Sequence, residues 1–164
     1  MLWIGTEDGG LNRFNLNTKE FSFFAPSAGF TNIHGLCLVD DKLWVGTFSK
    51  GLKIIDTRTG TVLKTYQKNS SPRSLIDNSI FAICRTATGD IYLGTMFGLV
   101  KYNKQSDDFD RIPELNGKFV YDIKEDSGGN IWLATYANGA YCYNVNDRKW
   151  KNYVHDDKDN TSLP

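Results

Sequence analysis

The chain has 164 residues, 40% hydrophobic and 13% aromatic, and its 19 Lys+Arg balance 19 Asp+Glu to zero net charge. That balance argues against a basic nucleic-acid-binding face. No apolar run reaches the ~18 residues that a membrane-spanning helix needs, and no signal-peptide pattern precedes the first strand motif.

The chain opens on Leu2-Trp3-Ile4-Gly5-Thr6 and says nearly the same thing three more times. Leu43-Trp44-Val45-Gly46-Thr47, Ile91-Tyr92-Leu93-Gly94-Thr95 and Ile131-Trp132-Leu133-Ala134-Thr135 follow, with the aromatic positions 41, 48 and 40 residues apart. A period of roughly 40–50 residues is that of a four-stranded propeller blade. Each motif is a short apolar run between turn residues, which reads as a strand buried on both faces. The small residue at the fourth place implies a close approach by another group. The neighbouring aromatic is expected to fill that gap, with all four aromatics in the core.

After Thr6, Glu7-Asp8-Gly9-Gly10 makes a turn and Leu11-Asn12-Arg13-Phe14 an alternating strand. Asn15 to Lys19 makes the next turn, and Glu20 to Phe24 the outer strand. The same turn recurs as 56–60, 103–107 and 144–148, each opening on Asn or Asp, whose side chain bonds its own backbone two residues on. The later repeats add an inner strand before the aromatic one: Ile33 to Leu38, Ile80 to Cys84 and Val120 to Ile123. The first repeat lacks it. Three strands, then four in each of three repeats, predict fifteen, and no segment has helical periodicity. The repeats fall at about 1–28, 29–75, 76–115 and 116–164 of a single all-β propeller fragment of about four blades.

Asp156 to Leu163 matches the connector Asn69 to Leu75, so the tail reads as a solvated link. It lacks the spaced carboxylates of a calcium loop. Cys37, Cys84 and Cys142 have no metal-like spacing and read as buried free thiols; a Cys37–Cys84 pair between repeats stays open.

The run Asn78-Ser79-Ile80-Phe81-Ala82-Ile83, the Gly-Asp or Gly-Asn turns, the Ile-Trp-Leu-Gly-Thr-like strands and the Asn/Asp turns resemble the two-component regulator propeller repeat. Ala134 and Ala140 depart from the pattern, replacing Gly and Leu. The resemblance implies the periplasmic sensor region of a hybrid two-component histidine kinase. In such proteins propellers precede a β-sandwich, a transmembrane helix and the kinase, none of which this sequence contains. It also implies a function: binding an extracellular oligosaccharide and signalling to the kinase. The alternative is a propeller scaffold for protein–protein contacts with no small-molecule ligand.

A ligand is expected where the connectors between blades meet the turns after the aromatic strands. Phe48, Phe97 and Tyr136 stand in those turns with Lys50 and Asn138, and Asn78 and Phe119 stand in the connectors, as does Gly29-Phe30-Thr31-Asn32. Aromatic rings suit the apolar face of a sugar, and amides and Lys suit its hydroxyls. His34 and His155 are the only histidines, and no nucleophile motif or metal-ligand spacing appears. Asp126-x-Gly128 before Trp132 is similar to the Asp-box, a structural turn. No catalytic residue, metal or cofactor is assigned. A first blade without an inner strand predicts an open edge and bare end faces, and hence self-association, most simply as a homodimer.

Overall fold

The structure, a computed structural model, describes residues 1–24 and 32–164. Fifteen strands form four antiparallel sheets in chain order. The first holds β1 (Leu2–Gly5), β2 (Leu11–Phe14) and β3 (Phe21–Phe24). The second holds β4 (Ile33–Val39), β5 (Lys42–Thr47), β6 (Leu52–Asp56) and β7 (Val62–Tyr66). The third holds β8 (Ile80–Arg85), β9 (Ile91–Thr95), β10 (Gly98–Asn103) and β11 (Asp108–Arg111). The fourth holds β12 (Val120–Glu125), β13 (Ile131–Thr135), β14 (Ala140–Asn144) and β15 (Lys149–Tyr153). The one helical turn among the described residues is a 3-10 turn at Pro113–Leu115.

Local chemistry closes each sheet the same way. Asn15, Asp56, Asn103 and Asn144 each accept the backbone N–H two residues on, at 2.9, 2.8, 3.1 and 2.9 Å. The fifth residue of each turn has positive φ: 62° at Lys19, 77° at Gly60, 58° at Asp107 and 56° at Arg148. This left-handed step matches the twist of the flanking strands. At the other end, Thr6, Thr47, Thr95 and Thr135 donate their hydroxyls to the carbonyls of Gly10, Gly51, Gly98 and Gly139, which closes the turn after each aromatic strand.

Three apolar cores separate the four sheets. Leu11, Ile33, Leu43, Val45 and Ile55 pack between the first two sheets, with Trp3 half-buried against them. Trp44, Leu52, Leu75, Ile80, Leu93, Val100 and Phe109 fill the second interface. Tyr92, Leu99, Leu115, Val120, Ile123, Leu133 and Tyr141 fill the third. Cys37 packs on the second of these cores and Cys84 on the third, and both thiols are free, so they do not pair. Burial raises the pKa of each, opposed in part by the nearby backbone N–H of Arg85 for Cys37 and, more weakly, of Glu125 for Cys84.

The small residue of the aromatic strand is explained by the next sheet. A Cβ on Gly5, Gly46 or Gly94 would stand 2.4, 2.6 or 2.7 Å from a side-chain carbon of Ile33, Ile80 or Val120, the first residue of the following inner strand. That β-branched residue fills the gap, not the flanking aromatic. The aromatics themselves divide: Trp44 and Tyr92 are buried, but Trp132 is 37% exposed. Its ring stacks on Tyr153 at 5.5 Å, and its Nε1–H donates to Asp126 at 2.9 Å. Among the described residues no further sheet covers it, and Ala134 lies exposed at the slot where the other repeats have Gly.

The connectors are built alike. The Ser74 hydroxyl bridges the N–H and C=O of Asn69, at 3.2 and 3.1 Å, and the Ser162 hydroxyl bridges those of Asp156, at 2.9 and 3.2 Å. Arg73 pins the first connector to β11 through Asp108, Asp110 and Ser106, and holds the Asp108 carboxyl at about 2, well below the usual carboxylate range. Leu75 is fully buried beneath this connector, whereas Leu163 is 38% exposed.

Candidate functional site

Each complete inner strand begins with an irregularity. In β4 the pairing with β5 jumps from Ile33 to Gly35; in β8 it jumps from Ile80 to Ala82, and in β12 from Val120 to Asp122. The skipped residues are His34, Phe81 and Tyr121. A bulge leaves its extra residue outside the ladder and re-aims its side chain. Here all three rings turn to the rim where the connectors arrive.

The loops after the aromatic strands of the second, third and fourth sheets are tied to the same rim by a repeated backbone bond. The N–H of Phe48 donates to Asn32 O (2.9 Å), that of Met96 to Ser79 O (3.1 Å) and that of Tyr136 to Phe119 O (2.9 Å). Phe48, Met96 and Tyr136 therefore stand at one equivalent place.

Phe81 is the hub of the resulting cluster. Its ring centroid lies 4.8 Å from His34, 6.0 Å from Phe48, 4.4 Å from Phe119 and 5.9 Å from Tyr121, the last pair stacked. Phe119 also meets Tyr121 at 5.6 Å and Tyr136 at 5.8 Å. Phe81 and Phe119 are half-buried, while Phe48, Tyr121 and Tyr136 are 40%, 60% and 70% exposed. Six rings from three sheets thus form one partly wetted surface. Neighbouring rings of this kind hold one another at about 0.5–1.5 kcal/mol per pair beyond simple burial.

The structure sorts the residues expected from sequence. Phe48, Phe119 and Tyr136 belong to the cluster. Phe97 does not: its turn is one residue shorter, so Met96 takes the equivalent place. Phe97 is 52% exposed, and its ring meets no other ring among the described residues. Lys50 is exposed at the rim, with its backbone N–H bonded to Thr47 Oγ1 at 2.9 Å. Asn138 is half-buried beside Ala137, whose φ is 59°. Asn78 is a strut, its Oδ1 accepting Lys68 N–H at 2.7 Å and its carbonyl accepting Gly51 N–H at 3.0 Å. Gly29, Phe30 and Thr31 lie outside the described residues.

Sequence reasoning missed His34, Phe81 and Tyr121. Their signal is present: each follows the first β-branched residue of an inner strand, at the same place in three repeats. An unbroken apolar run hides it, because periodicity alone does not reveal a bulge. Among the described residues, no three His, Cys, Asp or Glu side chains converge as metal ligands.

The profile of the two-component regulator propeller matches residues 74–97 and 114–137, the entries into the third and fourth repeats. The chain is 33% identical over 147 residues to histidine kinase P4 of Formosa agariphila, covering 82% of this chain and 11% of that protein. The chain thus spans about a tenth of that relative's length. In structure it is similar to the extracellular domain assigned to a hybrid two-component system of B. thetaiotaomicron, with a TM-score of 0.76 and 22% identity over 93% of this chain and 23% of the other. The WD40 propeller domain of Doa1 aligns with a TM-score of 0.61 and 16% identity, over 81% of this chain and 43% of that one. The repeats, the sheets and these likenesses agree: the chain is an all-β propeller segment built of two-component regulator propeller repeats.

Proposed function

We propose that this segment is the non-catalytic, extracytoplasmic sensing part of a hybrid two-component sensor. It binds an oligosaccharide on the aromatic rim and passes the signal to a histidine kinase elsewhere in the parent protein. The observation that carries this reading is the Phe81 cluster, six rings left partly in water, three of them raised on bulges and three standing in connections. A core cluster would be buried, and a solvated rim would be polar. Flat rings with open faces suit the C–H faces of sugars, and Lys50 and Asn138, in the same turns as Phe48 and Tyr136, serve hydroxyls at the edge. Relatives described as a histidine kinase and as the extracellular domain of a hybrid two-component system support the role and the compartment.

Calorimetry against a panel of neutral oligosaccharides tests it. A cognate glycan should bind the native chain, and Tyr136→Ala and Tyr121→Ala should each weaken it tenfold or more, about 1.4 kcal/mol. Both residues are largely exposed and lose only ring contacts, so melting should fall by no more than a few degrees. If no glycan binds, or if both variants bind as well as the native chain, the rim serves instead as a protein-contact surface.

A further inference from the structure

A second concavity lies on the opposite rim, between the second and third sheets, with a volume of about 840 Å³. Its base is the edge-to-face pair Trp44–Tyr102, with centroids 4.9 Å apart. Its walls are the turns at 40–42, 88–90 and 103–105. Four cations line it, Lys42, Arg85, Lys101 and Lys104, together with three acids, Asp40, Asp90 and Asp110.

These acids are already partnered, and Lys101 is spent on one of them. Asp90 is held by Lys101 at 2.8 Å, and Asp110 by Arg73 and Asn103, both at 3.0 Å. Asp40 meets Arg85 only at 3.5 Å, and it is 76% exposed. Lys42 and Lys104 are exposed, and neither forms an ion pair among the described residues. The groove is therefore left with two uncompensated ammonium groups and one loosely held guanidinium.

The next interface lacks this character. There Glu125 takes the place that Arg85 holds, and its carboxylate accepts the backbone N–H of Ala87 at 2.7 Å. The positive groove is specific to the second and third sheets.

We propose that this groove binds the carboxylate or sulfate groups of an anionic saccharide, as a site separate from the aromatic rim. Lys42 and Lys104 pair with the anion, and Arg85 gives a planar fork to a carboxylate or sulfate once it leaves Asp40. Thr88, Asn103 and Gln105 add hydroxyl and amide partners, and Tyr102 adds a ring. An acidic peptide fits less well. The walls are turns, so no open strand edge is presented for an extended backbone to pair with. The proposal rests on the saccharide reading only for the skeleton that carries the charge.

The test is calorimetry at low ionic strength with three probes: an oligogalacturonate tetramer, the neutral cellotetraose and a tetraglutamate peptide. Oligogalacturonate should bind and be displaced by salt. A Lys42→Glu/Lys104→Glu double variant should weaken it about tenfold or more, and Arg85→Gln by less, with melting unchanged in both. Tyr136→Ala, which tests the aromatic rim, should leave this binding intact, so failure of one site is read apart from failure of the other. Three results overturn the proposal: no binding of oligogalacturonate, equal binding by the double variant, or binding of tetraglutamate as tight as that of the sugar.

Discussion

Strands β9 and β13 carry the same motif, yet every residue of β9 is buried while β13 alternates between buried and exposed. The difference does not lie in the strands, both of which read as continuous apolar runs. It lies in what stands on either side. The third sheet has a neighbour on each face, so Ile91 and Leu93 join one core while Tyr92 joins the next. Among the described residues the fourth sheet has a neighbour on one face only, so Ile131 and Leu133 are buried against it while Trp132 and Ala134 look out. A repeat is thus a unit of sequence but not a unit of burial. Its second face is completed by whatever packs next.

The aromatic position gives the sharpest contrast. Trp44 and Trp132 are equivalent, but Trp44 sits in a core and is 6% exposed. Trp44→Ala should destabilise the chain by about 3–5 kcal/mol, the usual loss for a large buried ring. Trp132→Ala removes one stacking contact and one hydrogen bond at a surface, and should cost no more than about 2 kcal/mol. Urea denaturation of the two variants side by side checks the contrast. Equal losses would mean that the open face of the fourth sheet is covered in solution.

The small position should show a change of sign. At Gly46, a new Cβ would stand 2.6 Å from Ile80 Cγ2 and 3.3 Å from its carbonyl oxygen. Ile80 is β-branched and fully buried, so it has little room to give way. Gly46→Ala should therefore cost about 1–3 kcal/mol, as overpacking does, despite the gain in strand propensity. Ala134 is exposed, and Ala134→Gly should cost only the backbone entropy of a glycine, about 0.5–1 kcal/mol. Thermal melting of both variants decides. A stable Gly46→Ala would show that the sheets are not locked by this slot.

Much of this was legible in the sequence. The Leu-Trp-Ile-Gly-Thr copies and the Asn/Asp turns define the strands, because turn chemistry is local and repeats itself. The Gly slot was legible as a close approach, but its occupant was not. Ile33, Ile80 and Val120 come from the next repeat, so the contact is set by packing between sheets. The exposure of Trp132 was hidden for the same reason. The candidate site was half legible. Phe48, Phe119 and Tyr136 are visible as aromatics in connections, whereas His34, Phe81 and Tyr121 look like ordinary strand residues until the pairing skips them. Phe97 misled because a turn shortened by one residue shifts everything after it, a change that composition does not mark.

The smallest effect expected is association of the chain with itself. The first sheet leaves Leu2, Phe21 and Phe23 at 49%, 69% and 56% exposure, and β1 has no partner on its inner edge among the described residues. The fourth sheet leaves Trp132, Val154 and Leu163 at 37%, 49% and 38%, around a hollow of about 560 Å³. Apolar surface of this kind favours burial against another surface, and an open strand edge favours pairing. In the three interior interfaces such faces are covered by the adjoining sheet. A two-fold arrangement lets each copy set its first sheet on the other's fourth, closing both gaps at once, whereas a rotation that does not close leaves ends on which further copies add. We expect weak, concentration-dependent dimerisation, because two ammonium-bearing side chains, Lys149 and Lys151, stand on the outermost strand and must be accommodated. Light scattering over a range of concentrations checks it. The mass should rise from 18.5 kDa toward twice that value and stop there. Phe23→Lys should hold it at the lower value. A constant 18.5 kDa would show that the open faces tolerate water, and a mass that keeps climbing would show that the pairing does not close.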